Sequence, residues 1–521
     1  MKFKQPRILN ILVLALCFVV TGRAVASDRL YRPSWNSLST RQTPQWLRDG
    51  KFGIYTHWGV YSVPAQGPNG TWFAKRAYPR RCRACRTSCL VTLVLAATLS
   101  GWAAAEPVAL TEPKRAIAQS FVDQMRAGVM ECQLDELLRI PEVWSLTPDR
   151  LDAAFAVPKG VEVKKNPYFQ WMTVARTRAV FSKHPYTNLR VDLTLMDRQL
   201  AVEEVVVDFL NNKLNGITFS LGNRGDTGTM TAEEFQRRFK LCGTKINAAL
   251  VVHPTAKKAD LTQGLLSEGW TWVAPLGMAI LEHNPEANQG KVEFLRLKIA
   301  PRDAKGAFAA AFQGHSMAAK LSELPKNVTK SENGDVFIKD MPMVDQGQKG
   351  YCVVATVQRL FEYYGMPVDQ HQIAQVVGTD AKTGTNSVAM AEALAKIDYR
   401  FKTHFKIIGM ANHDQLVEVD ARKMTVGKNV SEDQFSKAIH RHINEGIPLL
   451  WGLVLGKYPE DPPTAQQTSG GHMRMVIGYN DKTGHLLFSD SWGAGHELKR
   501  MTLADSYKAT QGLFVMSPTV H

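Results

Sequence analysis

The apolar residues of one segment near the C-terminus, QGQKGYCVVATVQRLFEYYG, recur at the spacing of a buried helix. The apolar positions are Val353, Val354, Val357, Leu360, Phe361 and Tyr364. This period predicts a helix, and Gly365 is a natural end for it because glycine readily adopts the left-handed backbone of a helix terminus. Cys352 is therefore predicted in the first helical turn, where the positive end of the helix dipole favours a thiolate over a thiol.

Downstream, the pattern predicts another helix and then several strands. Ser431 and Gln434 form a capping box at the start of SEDQFSKAIHRHINEG, and the apolar run LLWGLVL follows as a strand. The segments HMRMVIGY and HLLFSD flank the turn DKTG, which predicts an antiparallel hairpin. His472 begins the first strand and Asp490 ends the second, so the pairing brings them side by side. A carboxylate beside an imidazole fixes its tautomer and favours the imidazolium.

Residues 106–333, here called the middle region, show no pattern that points to chemistry. A helix is predicted over TEPKRAIAQSFVDQMRAG, and strands over NLRVDLTLMD, VEEVVVDFLN and NGITFSLGNRG. A second helix is predicted over TMTAEEFQRRFKLCG, where Thr231 and Glu234 make a capping box and Gly243 follows the end. Asp226 is placed in a solvated turn rather than in a cation site. The pattern predicts an α+β region, and substrate positioning, inhibition and cell-surface binding are equally open as its role.

Two stretches have the form of secretory leaders. Residues 1–26 join a basic start to an apolar run and end at Ala-Val-Ala, which predicts a signal peptide and export of the chain. Residues 80–105 repeat this form inside the chain, with four arginines followed by the apolar or small stretch 87–105. Two leaders in one chain indicate a fusion of two reading frames, and membrane association through 87–105 stays open.

The charge of the chain does not indicate nucleic acid as a partner. The 521 residues carry a formal net charge of +15, and part of this charge lies in the leader-like stretches. The sequence contains no long basic stripe with interleaved aromatic residues, which is the pattern expected of a nucleic-acid-binding surface.

The cysteines do not indicate a metal site. Cys82 and Cys85 are not followed by a second pair of ligands at the spacing of a zinc finger, so no metal and no other cofactor are predicted. In an exported protein, Cys132 and Cys242 could form a disulfide, which would leave Cys352 unpaired. The oligomeric state stays open.

Residues 27–79, between the leaders, contain the apolar segment KFGIYTHWGVYS, which predicts a buried strand and a following loop with His57 and Trp58 at the strand end. The residues KFGIYTHWGVYSVPA resemble the opening of the family-29 glycoside hydrolases, the α-L-fucosidases. The resemblance implies that His57 contacts fucose and that the segment begins a (β/α)8 barrel. Such a barrel needs about 250 residues, so the segment is a fragment that cannot close, and no glycosidase activity is predicted.

Three motifs of residues 334–521, here called the C-terminal domain, resemble the papain-like cysteine peptidases. QGQKGYC is similar to the segment with their oxyanion glutamine and nucleophile, GGHMRMVIGY to their histidine strand, and SDSWG to their Asn-Ser-Trp-Gly segment. The compact size, the segment GTDAKTGTNSVAMAEAL and the aspartate of SDSWG resemble the family 39, bacteriocin-processing peptidases more closely. The resemblance implies a catalytic set of Gln346, Cys352, His472 and Asp490. It also implies that Trp492 borders the substrate and shields the contact between the histidine and the aspartate from water.

The fold class expected for the chain is α+β: a papain-like cysteine peptidase domain preceded by an α+β region and a barrel fragment. The function expected is an exported cysteine peptidase that acts on a peptide or protein substrate by acyl transfer. Two alternatives stay open. One is an α-L-fucosidase, which rests on the N-terminal resemblance alone and lacks the required carboxylates. The other is a non-catalytic binding module on the same papain-like fold.

Overall fold

The computed structural model describes residues 112–185, 189–259, 265–313, 319–463 and 467–520 of the chain. The predicted leaders and the barrel fragment with His57 lie outside these residues. The described residues belong to one compact unit, Val108–His521, which combines helices with mostly antiparallel sheets, as the α+β prediction requires. Among the described residues, no helix has the length and apolar character needed to cross a membrane.

The middle region contains two sheets and the helices that pack on them. Its helices are α1 (Glu112–Ala127), α2 (Pro148–Ala154), α3 (Arg224–Thr227), α4 (Ala232–Leu250) and α5 (Gly306–Gln313). Its strands are β1 (Val129–Gln133), β2 (Gln170–Trp171), β3 (Arg178–Ser182), β4 (Arg190–Leu195), β5 (Leu200–Val202), β6 (Glu204–Leu210), β7 (Lys213–Asn223), β8 (Thr255–Lys257), β9 (Glu268–Ala274), β10 (Gly277–His283) and β11 (Phe294–Ala300). The larger sheet has the order β2-β3-β6-β7-β11-β10-β9-β8, and the smaller one has the order β1-β4-β5.

Helix α4 departs from its predicted length. The prediction that it ends before Gly243 is wrong, because the helix continues for two further turns to its end at residue 250. Gly243 is buried, and a Cβ added there would lie 2.3 Å from the Trp270 ring, so this glycine allows helix and strand to approach closely. The predicted capping box is half formed. The Thr231 side chain accepts from the Glu234 N–H, but the Glu234 carboxylate binds two arginines of its own helix.

Asp226 is also placed differently from its prediction. It lies in α3, and its side chain is largely buried rather than in a solvated turn. Its carboxylate accepts hydrogen bonds from the ammonium of Lys349 and the amide of Asn223. The prediction was wrong because the partner that removes this carboxylate from water comes from a distant part of the chain.

The C-terminal domain is built on one large sheet. Its helices are α6 (Cys352–Tyr363), α7 (Gln370–Val377), α8 (Ser387–Ile397), α9 (Glu432–Asn444) and α10 (Leu503–Ala509). Its strands are β12 (Val328–Lys330), β13 (Asp335–Ile338), β14 (Thr403–Asn412), β15 (Gln415–Val419), β16 (Val426–Asn429), β17 (Leu449–Leu455), β18 (Gly470–Asn480), β19 (His485–Ser489), β20 (Lys499–Thr502) and β21 (Thr510–Pro518). The sheet order is β12-β13-β18-β17-β21-β14-β15-β16, and β19 pairs with β18 and β20. Strand β12 precedes the predicted boundary at residue 333 and pairs across it with β13.

Helices cover both faces of this sheet. The apolar faces of α6, α7 and α8 pack against one side in a core that includes Met473 and Met475 of β18. Helix α9 packs against the other side, where Val476 of the same strand is buried. Strand β18 thus follows the alternation of a strand buried on both faces. Helix α6 packs against β18, and Cys352 at the start of the helix borders the same cleft as His472 near the start of the strand.

Candidate active site

Cys352 is the first residue of α6 and borders an open cleft. The preceding Tyr351 has non-helical backbone angles, and its side chain makes no capping hydrogen bond. The first N–H groups of the helix therefore favour an anion at this end. Val354 and Val357 are buried behind it, which fixes the helix against the sheet, while residue Cys352 is partly exposed.

His472 and Asp490 meet on the hairpin formed by β18 and β19. The register pairs Met475 with Ser489, so the next residue, Asp490, lies opposite the beginning of β18. The His472 Nε2 atom lies 2.9 Å from Asp490 Oδ1, and both side chains are fully buried. The other ring nitrogen, Nδ1, is buried without a hydrogen-bond partner, yet the ring is close enough to Cys352 to shift the pKa of both groups. Contacts between a nucleophile and its base are often long before substrate binds.

The electrostatics of these three groups favour a thiolate and an imidazolium. Burial raises the pKa of the Cys352 thiol, but the contact with His472, the charge of its ring and two backbone N–H groups outweigh burial and hold the pKa below its ordinary value. Burial lowers the pKa of His472, but Asp490 and Cys352 raise it above its ordinary value. Because the two shifts have opposite directions, the ion pair exists over a wider pH range than isolated groups would allow.

A buried group of charges lies behind Asp490. Arg474 Nε is 3.0 Å from Asp490 Oδ1, and Lys499 Nζ is 3.5 Å from Asp490 Oδ2. Both cations also bind the Glu460 carboxylate, Arg474 at 2.5 and 3.1 Å and Lys499 at 2.5 Å. Burial raises the pKa of Asp490, but Arg474, His472 and Lys499 together hold it well below its usual range. Asp490 is therefore a fixed anion beside the imidazole.

Arg474, Lys499 and Glu460 were not among the site residues predicted from the sequence. Arg474 carried a usable signal, because an arginine two residues after His472 interrupts an apolar strand and lies on the same side of it. A buried charge of this kind requires partners. No local pattern indicated that the partners would come from the loop before β18 and from β20.

Trp492 and Gln346 complete the surroundings of the histidine and the cysteine. The Trp492 ring stacks on the His472 ring, with centroids 4.5 Å apart and planes inclined by 15°, and covers one face of it. Gln346 lies in the loop before α6 and lines the same cleft as Cys352. Its backbone N–H donates to the Ser491 carbonyl at 3.2 Å, and its side-chain Oε1 is buried without a hydrogen-bond partner. The structure thus brings the four predicted catalytic residues and Trp492 together, whereas His57 lies outside the described residues.

The cleft beside the thiol has a volume of about 940 Å³. Its lining includes Lys165 of the middle region together with Lys349 and Lys382, and no aspartate or glutamate of the described residues lines it. Two backbone segments approach closely at its wall, since a Cβ added to Gly350 would lie 2.6 Å from the Gly384 backbone. The result is an open cleft with a polar and cationic lining.

The other described cysteines lie away from this cleft. Cys132 and Cys242 are both buried and unpaired, so the disulfide considered from the sequence is not formed between them. Burial raises the pKa of each thiol to about 12. Within the described ranges, no three His, Cys, Asp or Glu side chains converge as a metal ion would require.

Two family models match the chain, one near each end. Residues 338–514 match the Peptidase_C39 like family. Residues 18–88 match the alpha-L-fucosidase family. The two resemblances predicted from the sequence, a family 39 peptidase-like C-terminal domain and a short fucosidase-like N-terminal segment, are thereby confirmed.

Curated relatives match a short stretch of the chain. Human tissue alpha-L-fucosidase is 42% identical over 65 residues, which cover 12% of this chain and 14% of that protein. The rat tissue enzyme is 51% identical over 43 residues, which cover 8% of this chain and 9% of that protein. The chain thus spans 14% or less of the length of these relatives.

Solved structures of C39-like peptidases are similar to about a third of the chain. A putative C39-like peptidase from Bacillus anthracis is 10% identical and covers 36% of this chain and 99% of that chain, with a TM-score of 0.25. The peptidase domain of Streptococcus ComA, a bifunctional ABC transporter, is 14% identical and covers 34% of this chain and 99% of that chain, with a TM-score of 0.23.

Proposed function

We propose that the chain is a cysteine peptidase that hydrolyses peptide bonds through Cys352, His472 and Asp490, with Gln346 as an oxyanion donor. The observation that carries the proposal is one imidazole in contact with both a buried carboxylate and the thiol of Cys352, whose pKa is lowered. The match of residues 338–514 to the Peptidase_C39 like family supports the same class of chemistry. The proposed substrate is a peptide or protein outside the cytoplasm, since residues 1–26 predict export.

The reaction is an acyl transfer in two steps. The Cys352 thiolate attacks the carbonyl carbon, and the Gln346 amide and the Cys352 backbone N–H stabilise the resulting oxyanion, one such donor contributing about 3 kcal/mol. The intermediate collapses to a thioester as the His472 imidazolium donates its proton to the leaving amine. His472 then takes a proton from water, which attacks the thioester, releases the acid and restores the ion pair. Asp490 keeps the imidazole oriented throughout.

A glycosidase function is not proposed for this chain. The fucosidase match spans 14% or less of the length of its relatives, and a (β/α)8 barrel needs about 250 residues. A non-catalytic binding module on the same fold remains the competing function, and thiol reactivity separates it from a peptidase.

A peptide that carries a thiol-alkylating group should label Cys352 at pH 7 and leave Cys132 and Cys242 unlabelled. The pKa of Cys352 is lowered, so its thiolate is populated below the pH at which an ordinary thiol ionises, about 8.5. The other two thiols have pKa values of about 12. Because the thiolate is the reactive form, the labelling rate should rise with pH up to the lowered pKa of Cys352 and then level off. Mass spectrometry of the digested protein locates the label.

The Cys352→Ala variant is the control for this labelling and should remove the label from the peptide that contains residue 352. Absence of label at Cys352 in the wild-type chain under reducing conditions would contradict the peptidase proposal. That result would favour the binding module.

Substrates with acidic side chains should be cleaved faster than matched neutral ones. Lys349 is paired with Asp226, but Lys165 and Lys382 line the cleft with exposed side chains. An exposed ion pair contributes about 0.2–1 kcal/mol, so a glutamate in place of a glutamine should raise kcat/KM by about 1.4- to 5-fold per contact. Concentrated salt should remove the difference because it screens exposed charges.

The matched control for this preference is the double variant Lys165→Gln/Lys382→Gln, which should cleave both peptides at similar rates. Equal rates for the two peptides with the wild-type chain would contradict the role of these lysines. The proposed triad would be unaffected by that result.

A further inference from the structure

The loop that leads into Cys352, Asp345–Tyr351, carries a buried cation. We call this segment the nucleophile loop. The side chain of Lys349 is only 9% exposed, and its Nζ lies 2.5 Å from Asp226 Oδ2 of the middle region. Lys349 is three residues from Gln346, so the position of its ammonium group constrains the oxyanion donor.

The middle region neutralises this cation. Burial lowers the pKa of Lys349, but Asp226 and then Glu204, both in the middle region, outweigh burial and raise it. Asp226 is itself held in place, because its carboxylate accepts from the Asn223 amide at 3.0 Å and its N–H donates to Asn223 Oδ1 at 2.8 Å. An unpaired buried charge is strongly destabilising. Burial raises the pKa of Glu204 to about 8, so at pH 7 Asp226 is the carboxylate that holds the charged Lys349 in this loop.

Further contacts fix the same loop to the middle region. Gln170 of β2 donates to Asp345 Oδ2 at 3.0 Å, and the Gln348 amide donates to the carbonyl of Pro185. Tyr351, the residue before Cys352, packs so closely on α3 that a Cβ added to Gly225 would lie 2.4 Å from its hydroxyl oxygen. The nucleophile loop is therefore bound to the middle region at both of its ends and in its centre.

The segment that follows Asp490 is held by the same part of the middle region. Residues 491–497, which we call the tryptophan loop, include Trp492. The Ala494 N–H donates to the Trp171 carbonyl at 3.4 Å, and the Glu497 carboxylate accepts from the Val174 N–H at 2.8 Å. The two loops that flank the thiol and the imidazole thus contact one segment, residues 170–185, in addition to α3.

We infer that the middle region is a structural half of the candidate active site. It positions the nucleophile loop and the tryptophan loop, and Asp226 is the positioning residue for Gln346 through Lys349, whereas the packing of α6 holds Cys352. This inference rests on the proposed peptidase function and gives the middle region its role. A small displacement of an oxyanion donor strongly reduces catalysis, so the docking is expected to control turnover.

The variant Asp226→Asn in the full chain tests this inference. Lys349 loses its charged partner, so the nucleophile loop should shift and kcat for peptide cleavage should fall about 10- to 100-fold. Alkylation of Cys352 by iodoacetamide needs the thiolate but no oxyanion donor, so its rate should stay within about threefold of the wild-type rate. The split between these two readouts distinguishes a positioning role from a general loss of structure.

Two further variants serve as controls for Asp226→Asn. Asp192→Asn makes the same chemical change in the exposed Arg190–Asp192 pair of the middle region and should leave both readouts unchanged. Asp226→Asn/Lys349→Met leaves no unpaired buried ammonium, so it should recover part of the lost kcat. A kcat for Asp226→Asn equal to that of Asp192→Asn would overturn the inference. A parallel loss of alkylation and cleavage would also overturn it. If the wild-type chain cleaves no peptide, the proposed function fails and the inference fails with it.

Discussion

Replacing His472 with alanine should lower kcat/KM for peptide cleavage by about 1,000- to 10,000-fold. Burial alone raises the pKa of the Cys352 thiol, and the contact with His472 is the largest of the effects that lower it. Without the imidazole the thiolate is therefore scarce at neutral pH, and no group protonates the leaving amine. Steady-state kinetics with one cleaved peptide measure the loss. The matched control is His404→Ala, which removes an exposed histidine of β14 outside the cleft and should leave kcat/KM unchanged.

The double variant His472→Ala/Cys352→Ala tests whether the two groups act as a unit. Groups of one catalytic unit have strongly non-additive effects, so the double variant should be no slower than Cys352→Ala alone. A further tenfold loss in the double variant would show that His472 and Cys352 act in separate steps. The shared role that the structure suggests would then be wrong.

Replacing Arg474 with methionine should lower the free energy of unfolding by about 3–5 kcal/mol, the range expected when one partner of a buried ion pair is removed. Arg474 is fully buried and holds both Asp490 and Glu460. Without it, two carboxylates share Lys499 as their remaining fixed cation among the described contacts. The low pKa of Asp490 contributes stability that is present at neutral pH and lost as pH falls, and the variant should lose part of that contribution. Urea unfolding at pH 7 measures the difference.

The control for this prediction is Arg441→Met. Arg441 pairs with Glu445 on the surface of α9, where both side chains are well exposed, and such pairs contribute about 0.2–1 kcal/mol. Similar losses for the two variants would contradict the view that the charges behind Asp490 form a buried, mutually dependent group.

Local signals predicted the elements that carry the candidate site. The helix that begins at Cys352, the capping box of Ser431 and Gln434, and the hairpin with His472 and Asp490 depend on period, caps and turn residues over short stretches of chain. Each of them is present in the structure. Since the hairpin register follows from its turn, the contact between the histidine and the aspartate could be predicted as well.

Long-range pairing could not be predicted in this way. Asp226 pairs with Lys349, 123 residues further along the chain, and the carboxylate shows no local sign of its partner. For the same reason the prediction of a solvated turn was wrong. Gly243 misled the helix prediction because a glycine that ends a helix and a glycine that admits a packed Trp270 ring look alike in a sequence. The Asp226–Lys349 pair and the packing of Trp270 on Gly243 both depend on contacts between distant elements, and a periodic pattern within one element does not predict such contacts.

The most direct test of the central claim is peptide-library cleavage by the full chain, with new termini identified by mass spectrometry. The wild-type chain should produce new termini at a defined set of peptide bonds, and Cys352→Ala should produce none of them. The same new termini with Cys352→Ala would contradict the account, because another group would then perform the hydrolysis. A reactive Cys352 in a wild-type chain that cleaves no peptide would also contradict it.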